Sequence, residues 1–381
     1  MTPPPVPPAA VRRLRLTDFR GYALLDLELE AVPVALYGAN GSGKTNLLEA
    51  VSFLAPGRGL RSAGADAVVR KSDEGAAANW AVFAEAQTRE GAVRLGVGSG
   101  EGGRRQTRID GQPAPQGQLA RLLPMIWLTP AQDRLFAGPR GDRLKFFDRL
   151  VYSADPAHAE AASAYDKVRT RRQRLLDEGR ADPAWLDALE TEMAGHGVAM
   201  AAARLEALIR LQGEIDARPE GAFPQADLAL DGAVEAGLAG GLDAGTAEDR
   251  FAQALREGRS RDAAAGRTLT PGPHRTELVA RHRGKDRPAG DCSTGEQKAL
   301  ILTLALAQAR ALGRQYGAAP LLLLDEACAH LDAARREGLA REILATGSQA
   351  WLTGVERVLF EPFGAGIQYF EIDAATVTAQ P

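Results

Sequence analysis

The feature that most constrains how this chain can fold is the octapeptide Gly38-Ala39-Asn40-Gly41-Ser42-Gly43-Lys44-Thr45. It matches the phosphate-binding pattern G-x-x-x-x-G-K-[ST] in full. The apolar run 32–37 before it is typical of a buried strand, and Leu47, Leu48 and Val51 after it recur at helical spacing. A glycine-rich turn can arise by chance, but this context favours a loop that surrounds phosphate oxygens with backbone N–H groups. We expect Lys44 to bridge the β- and γ-phosphates of a nucleotide and Thr45 to bind Mg²⁺.

A second constraint is the acidic pair Asp325-Glu326, which directly follows the four leucines 321–324. A strand that simply ends at the surface would explain the pair if it stood alone. A buried carboxylate is costly unless it meets a cation, so the phosphate-binding loop makes a nucleotide site the better interpretation. We expect Asp325 to hold Mg²⁺, directly or through water, and Glu326 to polarise the attacking water. Glu326 and Lys44 are therefore the predicted catalytic residues.

A third segment, Cys292-Ser293-Thr294-Gly295-Glu296-Gln297-Lys298, stands directly before an apolar helical run. Ser293 and Glu296 have the S-x-x-E spacing of a capping box, which marks the first turn of a helix. By itself the pattern indicates an ordinary capped helix. Its position one helix upstream of the acidic strand makes it a candidate part of the nucleotide site.

Composition limits the class of protein. The chain has 381 residues, is 45% hydrophobic and carries a net charge of −3, so any site for a polyanion must be a local patch. The two cysteines, Cys292 and Cys328, are too few for a disulfide scaffold and indicate a reducing compartment. The proline-rich stretch 1–10 lacks the apolar core of a signal peptide, and no apolar run approaches the roughly 20 residues of a membrane span. These features predict a cytoplasmic protein without a membrane segment.

Periodicity divides the chain into three parts. The first third alternates in the manner of strands, with one helix after the loop and a hairpin turn at Asp110-Gly111. Helical spacing dominates 159–178 and 184–217, the second of which we expect to kink or divide near Gly195 and Gly197, and a further helix is predicted at 247–257. The stretch 227–245 is glycine-rich and polar, and an α/β pattern returns after 266. The fold class is therefore α/β, with a discontinuous domain at 1–118 plus 266–381 and a mainly helical insert at 119–265.

Taken in order, these elements resemble the ATP-binding-cassette (ABC) type ATPases. Ser293, Gly295 and Gln297 fall in a segment similar to their signature motif, and His330-Leu331-Asp332 is similar to the loop after their acidic pair. The resemblance implies a P-loop ATPase head that binds ATP and Mg²⁺ and dimerises with ATP, the signature residues reaching nucleotide on the partner subunit. About 250 residues separate Thr45 from Ser293, which is similar to the DNA-repair and SMC branch of these ATPases. That branch also has a segment resembling 16–22, in which the residue matching Arg20 approaches the phosphates.

Within that branch the chain resembles the RecF family of recombinational repair proteins. The segments 57–61, 266–268, 272–275 and 353–354 are similar to recurrent segments of that family and occur in the same order. The resemblance implies binding of double-stranded DNA near single-strand gaps and loading of RecA together with RecO and RecR. It also implies a weak, Mg-dependent ATPase. Three departures stand beside it: Asp-Glu replaces a common Asp-Asp, Ala327-Cys328-Ala329-His330 is unusual before Leu331-Asp332, and Val355 replaces a common Thr. No histidine lies near Thr353 in the sequence, where transporters place a γ-phosphate sensor, which favours slow hydrolysis.

Three basic segments are candidates for DNA contact. Arg104, Arg105 and Arg108 lie beside the predicted hairpin turn and suit phosphate contacts. His274-Arg275 is a candidate of unresolved role. The third is a helical run, whose charged residues are Lys167, Arg169, Arg171, Arg172 and Arg174. An ordinary solvated face explains each run as well, and the lack of interleaved aromatic residues disfavours stacking on single strands.

Two functions of other classes remain open. The ATPase subunit of a membrane transporter would require a short insert and a sensor histidine, and the sequence has neither. The other is a structural ATPase similar to SMC proteins. Rod-forming members also need long heptad stretches, which this insert lacks. Apart from these two, the protein could be a non-catalytic scaffold in which ATP is only structural, and a Glu326→Gln variant would separate these possibilities.

Overall fold

The computed structural model describes residues 9–72, 75–100, 104–179, 182–219 and 221–381. Residues 1–8 of the proline-rich stretch 1–10 therefore lie outside the described residues. The chain forms two compact units. One, called the head unit, comprises Met1–Arg134, Arg218–Pro224 and Ser293–Pro381, and the other, called the lobe unit, comprises Leu135–Ala217 and Gln225–Cys292. No helix in the described ranges is long and apolar enough to cross a membrane.

Strands and helices are numbered in chain order. The elements up to residue 128 are β1 (Ala10–Phe19), β2 (Tyr22–Glu28), β3 (Val34–Tyr37), α1 (Lys44–Ser52), β4 (Lys71–Ser72), β5 (Gly75–Ala76), β6 (Ala81–Thr88), β7 (Gly91–Ser99), β8 (Arg105–Ile109), β9 (Gln112–Pro113), α2 (Gly117–Leu122) and β10 (Met125–Leu128). The lobe unit contributes α3 (Arg140–Ala154), α4 (Pro156–Glu178), α5 (Pro183–Asp216), β11 (Ala226–Asp231), α6 (Ala233–Ala239), α7 (Ala244–Glu257), α8 (Arg259–Ala265), β12 (Glu277–His282) and β13 (Arg287–Pro288). The remaining elements are α9 (Thr294–Tyr316), β14 (Leu321–Leu324), α10 (Ala333–Thr346), β15 (Ala350–Gly354), β16 (Gln368–Asp373) and β17 (Thr376–Gln380).

The core of the head unit is a sheet with the strand order β10-β14-β15-β3-β16-β17. Every neighbouring pair is parallel except β16 with β17. The runs Val34–Tyr37 and Leu321–Leu324 are apolar throughout because both faces of a parallel sheet are covered. Parallel strands end at the same edge, so the residues that follow β3, β14 and β15 are brought together there.

A second, antiparallel sheet of the head unit has the order β2-β1-β6-β7-β8-β9. Its strands alternate between buried and exposed residues because one face packs on the core and the other meets solvent. The predicted hairpin turn is confirmed: Asp110 and Gly111 join β8 to β9, both with positive φ. The buried Gln349 amide bonds to the backbone of Val11 and Glu30, which satisfies polar groups where β15 meets this sheet.

The lobe unit differs from its prediction in three respects. The helix α5 runs without a break through Gly195 and Gly197. Glycine at 197 serves close packing instead, since a Cβ there would lie 2.8 Å from the Phe251 ring and 3.2 Å from the Tyr165 ring. The stretch 227–245 contains β11 and α6, although its glycines hide any periodicity. The strands β11, β12 and β13 form a small sheet, so the lobe is not purely helical.

The boundaries of the two compact units also differ from the boundaries of the predicted domains. The prediction placed boundaries at 118/119 and 265/266, whereas the units divide at 134/135 and 292/293. The strand β10 pairs with β14, so 119–134 pack with the head unit. The strand β12 pairs with both β11 and β13, so 266–292 pack with the lobe unit.

The basic run on α4 contains one arginine that cannot contact DNA. Arg172 is completely buried and donates hydrogen bonds to Glu190 Oε1, Asp262 Oδ2 and the Leu255 carbonyl, each at 2.7–2.8 Å. The expectation that it belongs to a phosphate-contacting face is therefore wrong. The reason is that α4 packs on α5 and α8, and its inward face carries a charge that the neighbouring carboxylates neutralise.

We predict that Arg172→Met destabilises the lobe unit by about 3–5 kcal/mol, because it leaves the buried Asp262 without its cation and the buried Glu190 with Arg259 alone. Urea unfolding followed by circular dichroism measures the loss. The matched control is Arg174→Met on the same helix, since Arg174 is 81% exposed and pairs only along the helix surface with Glu178. Equal midpoints for the two variants would contradict the prediction.

His274 belongs to the interior of the lobe unit. Its Nδ1 accepts from the Tyr165 hydroxyl at 2.7 Å and its Nε2 donates to the Thr268 carbonyl at 3.2 Å, an arrangement that suits the neutral ring. Burial, with Arg169 nearby, lowers the pKa of His274 to about 4. The unfolded ring therefore binds a proton at a pH where the folded one does not.

Stability of the lobe unit should consequently fall as the pH is lowered from about 6.5 towards 4, by about 2 kcal/mol at pH 5. The measurement is the difference in unfolding free energy between wild type and His274→Gln at pH 7.5 and at pH 5. That difference should shrink at the lower pH, because glutamine has no proton to gain. A difference independent of pH would show that the ring is not held neutral.

Candidate nucleotide site

The loop between β3 and α1 is built so that only glycine fits at its ends. At Gly38 φ is 145°, and a Cβ there would lie 2.1 Å from the Ile372 carbonyl oxygen. Gly43 has φ 117° and carries the first turn of α1, which no side chain caps. The Ser42 hydroxyl is buried and has no partner among the described residues. The loop thus offers free backbone donors and an orphan hydroxyl at a helix N-terminus, the arrangement that binds phosphate.

Lys44 is folded back onto this loop. Its Nζ donates to the carbonyl oxygens of Gly38 and Ala39, both at 2.7 Å, and the residue is 6% exposed. Burial lowers the pKa of the Lys44 ammonium, and the charges of Glu326 and Asp325 oppose that shift. The ammonium is therefore held inside the loop by groups that a phosphate can replace.

Asp325 joins the loop to the acidic strand end. The Thr45 hydroxyl donates to Asp325 Oδ1 at 3.0 Å, across 280 positions of sequence. The Thr353 hydroxyl donates to the same oxygen at 2.8 Å and accepts from the Glu326 backbone N–H at 2.8 Å. A single threonine at the end of β15 therefore orients both acidic residues.

Glu326 has a left-handed backbone, with φ 53°, which is uncommon outside glycine. The Lys298 ammonium donates to its carbonyl oxygen at 2.9 Å and to Asp133 Oδ2 at 3.2 Å. These contacts fix the peptide that follows Glu326, while the Glu326 side chain is only half-buried. Its carboxylate is therefore accessible beside Lys44.

Arg20 lies beside α1. Its guanidinium bonds to both carboxylate oxygens of Glu49 at 2.9 Å and to the Ala67 carbonyl at 2.7 Å. Glu49 is fully buried, so Arg20 provides the charge that offsets it. Contact between Arg20 and a nucleotide phosphate stays a prediction.

The signature-like segment opens α9, and the predicted capping box is confirmed. Ser293 N–H donates to Glu296 at 2.8 Å and Glu296 N–H donates to the Ser293 hydroxyl at 3.4 Å. Ser293 is exposed, and nothing but the Arg335 guanidinium comes within 4 Å of a Cβ placed on Gly295. Gln297 is 3% exposed. Of the three signature-like residues that were predicted to contact nucleotide, Ser293 and Gly295 are therefore the accessible ones.

A turn near the C-terminus supports the loop from the other side. Ala374 and Ala375 join β16 to β17 with φ of 43° and 63°, and the Ala375 N–H donates to the Ser42 carbonyl at 2.8 Å. Tyr22 adds a hydrogen bond from its hydroxyl to the Gly43 carbonyl at 3.1 Å. Periodicity predicted neither contact, and the residues 373–378 gave no signal that they lie against the loop.

Thr353 is the functional residue whose role the sequence did not reveal. It appeared only in a family-like segment, although a polar residue that ends a buried apolar strand is a usable signal of a site. The contact of Lys298 with the Glu326 carbonyl and its ion pair with Asp133 were likewise not predicted. Their contacts depend on which loops meet, which no local pattern encodes.

The structure also relocates Arg105. Its guanidinium donates to the carbonyls of Phe53, Ala55 and Gly57 and lies over the Phe53 ring, and burial lowers its pKa to about 10. The expectation that it contacts phosphate is therefore wrong. Arg104 and Arg108 are exposed and stay candidates.

The residues of the loop fit a nucleotide with Mg²⁺. Three features support this fit: the orphan Ser42 hydroxyl, the lack of space for any side chain at Gly38, and the hard oxygen ligands that Thr45 and Asp325 place side by side. Thr45 and Asp325 are the residues that would hold the metal. Lys44 and Ser42 with the loop N–H groups would hold the phosphates.

A loop after β3, an acidic pair after β14 and a capped helix between them define the head of an ABC-type ATPase. The fold agrees: a solved Smc head bound to the C-winged helix domain of ScpA matches with a TM-score of 0.57 at 16% identity, over 97% of this chain and 96% of that one.

The chain belongs to the RecF family. The profile of the RecF/RecN/SMC N terminal domain matches residues 10–372. DNA replication and repair protein RecF of Rhizobium meliloti (strain 1021) is 49% identical over 94% of this chain and 96% of its own length. The RecF of Caulobacter sp. (strain K31) is 50% identical over 93% and 94%. The solved recombination mediator protein RecF-ATP of the RecFOR pathway matches with a TM-score of 0.85 at 19% identity, over 100% of both chains.

We predict that Thr353→Val lowers ATP hydrolysis at least tenfold, because it leaves Asp325 with one fewer donor and the Glu326 N–H without an acceptor. An unfolding free energy lower by about 1–3 kcal/mol should accompany the loss. Steady-state ATPase assays and urea unfolding measure the two effects. Thr378→Val, on the exposed face of β17, is the matched control and should change neither. Normal hydrolysis by Thr353→Val would mean that Thr353 does not orient the acidic pair.

Proposed function

We propose that this protein is an ATP-dependent DNA-binding protein of recombinational repair, whose ATP-driven dimer closes on double-stranded DNA near single-strand gaps. The observation that carries the proposal is the cluster of Thr45, Asp325 and Thr353 beside the buried Lys44. Such a cluster has no packing role, since it concentrates charge and polar atoms where three apolar strands end. Membership of the RecF family supports the repair function.

Each residue of the site has a separate role in the proposed ATP hydrolysis. Lys44 and the loop N–H groups neutralise charge on the phosphate oxygens, and Glu326 orients and polarises the attacking water as general base. When bound, Mg²⁺ supplies further neutralisation of phosphate charge from its place on Thr45 and Asp325. Thr353 and Lys298 hold the peptides on either side of Glu326, which fixes where its carboxylate can reach.

The position of the signature residues supports the proposed dimer. Ser293 is exposed at the start of α9, and among the described residues its hydroxyl is engaged only by the first turn of its own helix. The uncovered N-terminus of α9 is suited to a γ-phosphate carried by a second subunit. Val355 and Val358 are exposed next to the end of β15 and are available to such a partner.

The finer steps rest on family membership. We propose that hydrolysis is slow, because no histidine stands near Thr353 to sense the γ-phosphate, and that reopening of the dimer follows it. RecO and RecR are the proposed partners, and loading of RecA at gaps is the proposed outcome. The solved relative named for the RecFOR pathway supports this assignment.

We predict that Glu326→Gln slows ATP hydrolysis by about 100-fold or more and remains dimeric on duplex DNA in ATP, because it keeps binding but loses the base. Lys44→Ala should lose ATP binding and with it the dimer. Sedimentation with and without ATP and a gapped duplex measures both variants. Glu356→Gln, an exposed residue at the same edge of the sheet, is the control. Equal binding of wild type to duplex DNA with and without nucleotide would reject the proposed switch.

A further inference from the structure

One strip on the exposed face of the antiparallel sheet has no side chains. Gly96 and Gly98 lie on the solvent side of β7, opposite Arg108 and Gln106 of β8. The Gln106 side chain lies across Gly100, where a Cβ would be 2.2 Å from Nε2. The strip is therefore bordered by Arg108 and Gln106 on the β8 side and by Phe83 and Ala81 on the β6 side.

The fold requires glycine at only part of this strip. At Gly98 a Cβ would lie 2.7 Å from the Trp80 carbonyl oxygen, so the fold excludes a side chain there. At Gly96 the nearest atom would be Arg108 Cβ at 3.7 Å, an ordinary contact. Glycine inside a strand weakens it, and often marks a place where another backbone approaches closely. Gly96 leaves room for such an approach.

The cationic charges beside the strip have no ion-pair partner among the described residues. Arg104 and Arg108 are exposed, and the Arg108 guanidinium donates to the Gly111 carbonyl at 3.2 Å. Among the described residues no carboxylate forms an ion pair with either arginine. Elsewhere on this sheet Arg13 and Arg15 share Asp26, which holds the pKa of that carboxyl at about 2.

The strand β8, which carries Arg108 and begins directly after Arg104, is firmly held. Arg105 projects to the opposite face of β8 and bonds to the carbonyls of Phe53, Ala55 and Gly57 behind α1. Thr107, on that same face, is buried as well. Arg108 is thus presented from a rigid element, which lowers the entropy lost when it binds a ligand. Arg104 directly precedes this strand, and its carbonyl accepts from the Gly100 N–H at 2.8 Å.

The competing basic surface on α4 is weaker. Arg172 is buried, Arg169 pairs with Asp166 and Arg174 pairs with Glu178. Only Lys167 and Arg171 of that run are exposed without an ion pair in the part of the chain that the structure describes. Both surfaces therefore carry unpaired charge. The strand surface differs from the helix because Gly96 also leaves room for a close approach.

We propose that the face formed by Gly96, Gly98, Arg104, Gln106 and Arg108, called the β7–β8 face, contacts the sugar–phosphate backbone of double-stranded DNA. The proposal rests on the proposed function and names the surface that performs it. Arginine and amide side chains donate to phosphate oxygens, and the glycine strip admits the backbone between them. The contact carries no base information, so it binds duplexes of any sequence.

The test measures duplex binding by fluorescence anisotropy in ATP and Mg²⁺ over a series of salt concentrations. The Arg104→Ala/Arg108→Ala variant should bind about tenfold or more weakly, and its log–log salt slope should be less steep by about 2, because two phosphate contacts are lost. Gly96→Val should also weaken binding several-fold while its Tm stays equal or rises. A side chain at 96 keeps every charge and only fills the strip.

Matched controls separate this surface from general effects. Arg171→Ala/Arg174→Ala removes two exposed arginines from α4, and Ala92→Val places the same valine side chain on the same face of β7 near its turn. Both should bind as wild type does, and ATP hydrolysis without DNA should be unchanged in all four variants. Wild-type affinity in Arg104→Ala/Arg108→Ala, or weakened binding only in the α4 variant, overturns the β7–β8 face while the proposed function stands. A wild-type protein that binds no duplex in ATP overturns both.

Discussion

The structure of the site depends on one hydrogen bond, from the Thr45 hydroxyl to Asp325 Oδ1, which joins positions 280 residues apart. It exists because β3, β15 and β14 are adjacent parallel strands in fixed register, with Leu36 opposite Thr353 and Leu324 opposite Leu352. A slip of one residue would move a strand end by about 3.3 Å and turn every side chain to the other face. The register of the core sheet therefore determines whether the loop and the acidic pair form a site at all.

The same edge of the sheet concentrates buried charge, and each charge has a local partner. Lys44 is held by two carbonyls of its own loop, Glu49 by Arg20, and Asp325 by two hydroxyls. An ionised group in such surroundings is costly unless its hydrogen bonds are made. The loop is thus oriented before any ligand arrives, and the Ser42 hydroxyl is left as a donor for it.

Two supports of the loop come from distant parts of the chain. The turn at Ala374 and Ala375 bonds to Ser42, and Tyr22 of β2 bonds to Gly43. The left-handed backbone of both alanines is unfavourable for residues with a Cβ, so the surrounding hairpin must hold it in place. The strained turn therefore contacts the phosphate-binding loop at residues whose backbone conformation must be kept.

Local sequence determined the elements that rest on local chemistry. These elements could be recognised because their φ angles, caps and burial follow from neighbouring residues. They are the glycine-rich loop 38–43, the capping box at Ser293, the Asp110-Gly111 turn and the apolar strands. The same signals failed for 227–245, where glycines mask a strand and a helix. The strands β16 and β17, which complete the core sheet and carry the turn against Ser42, were not recognised either.

What only the tertiary structure decided is which polar groups meet. Arg105 and Arg172 are indistinguishable in sequence from exposed arginines, yet one is bound to carbonyls behind α1 and the other to buried carboxylates. Thr353 became the residue that orients Asp325 and Glu326 because β15 lies between β3 and β14. The sequence by itself determined that a phosphate-binding loop and an acidic pair exist. Their union into one site was decided by long-range strand pairing, because hydrogen bonds between distant segments leave no local pattern.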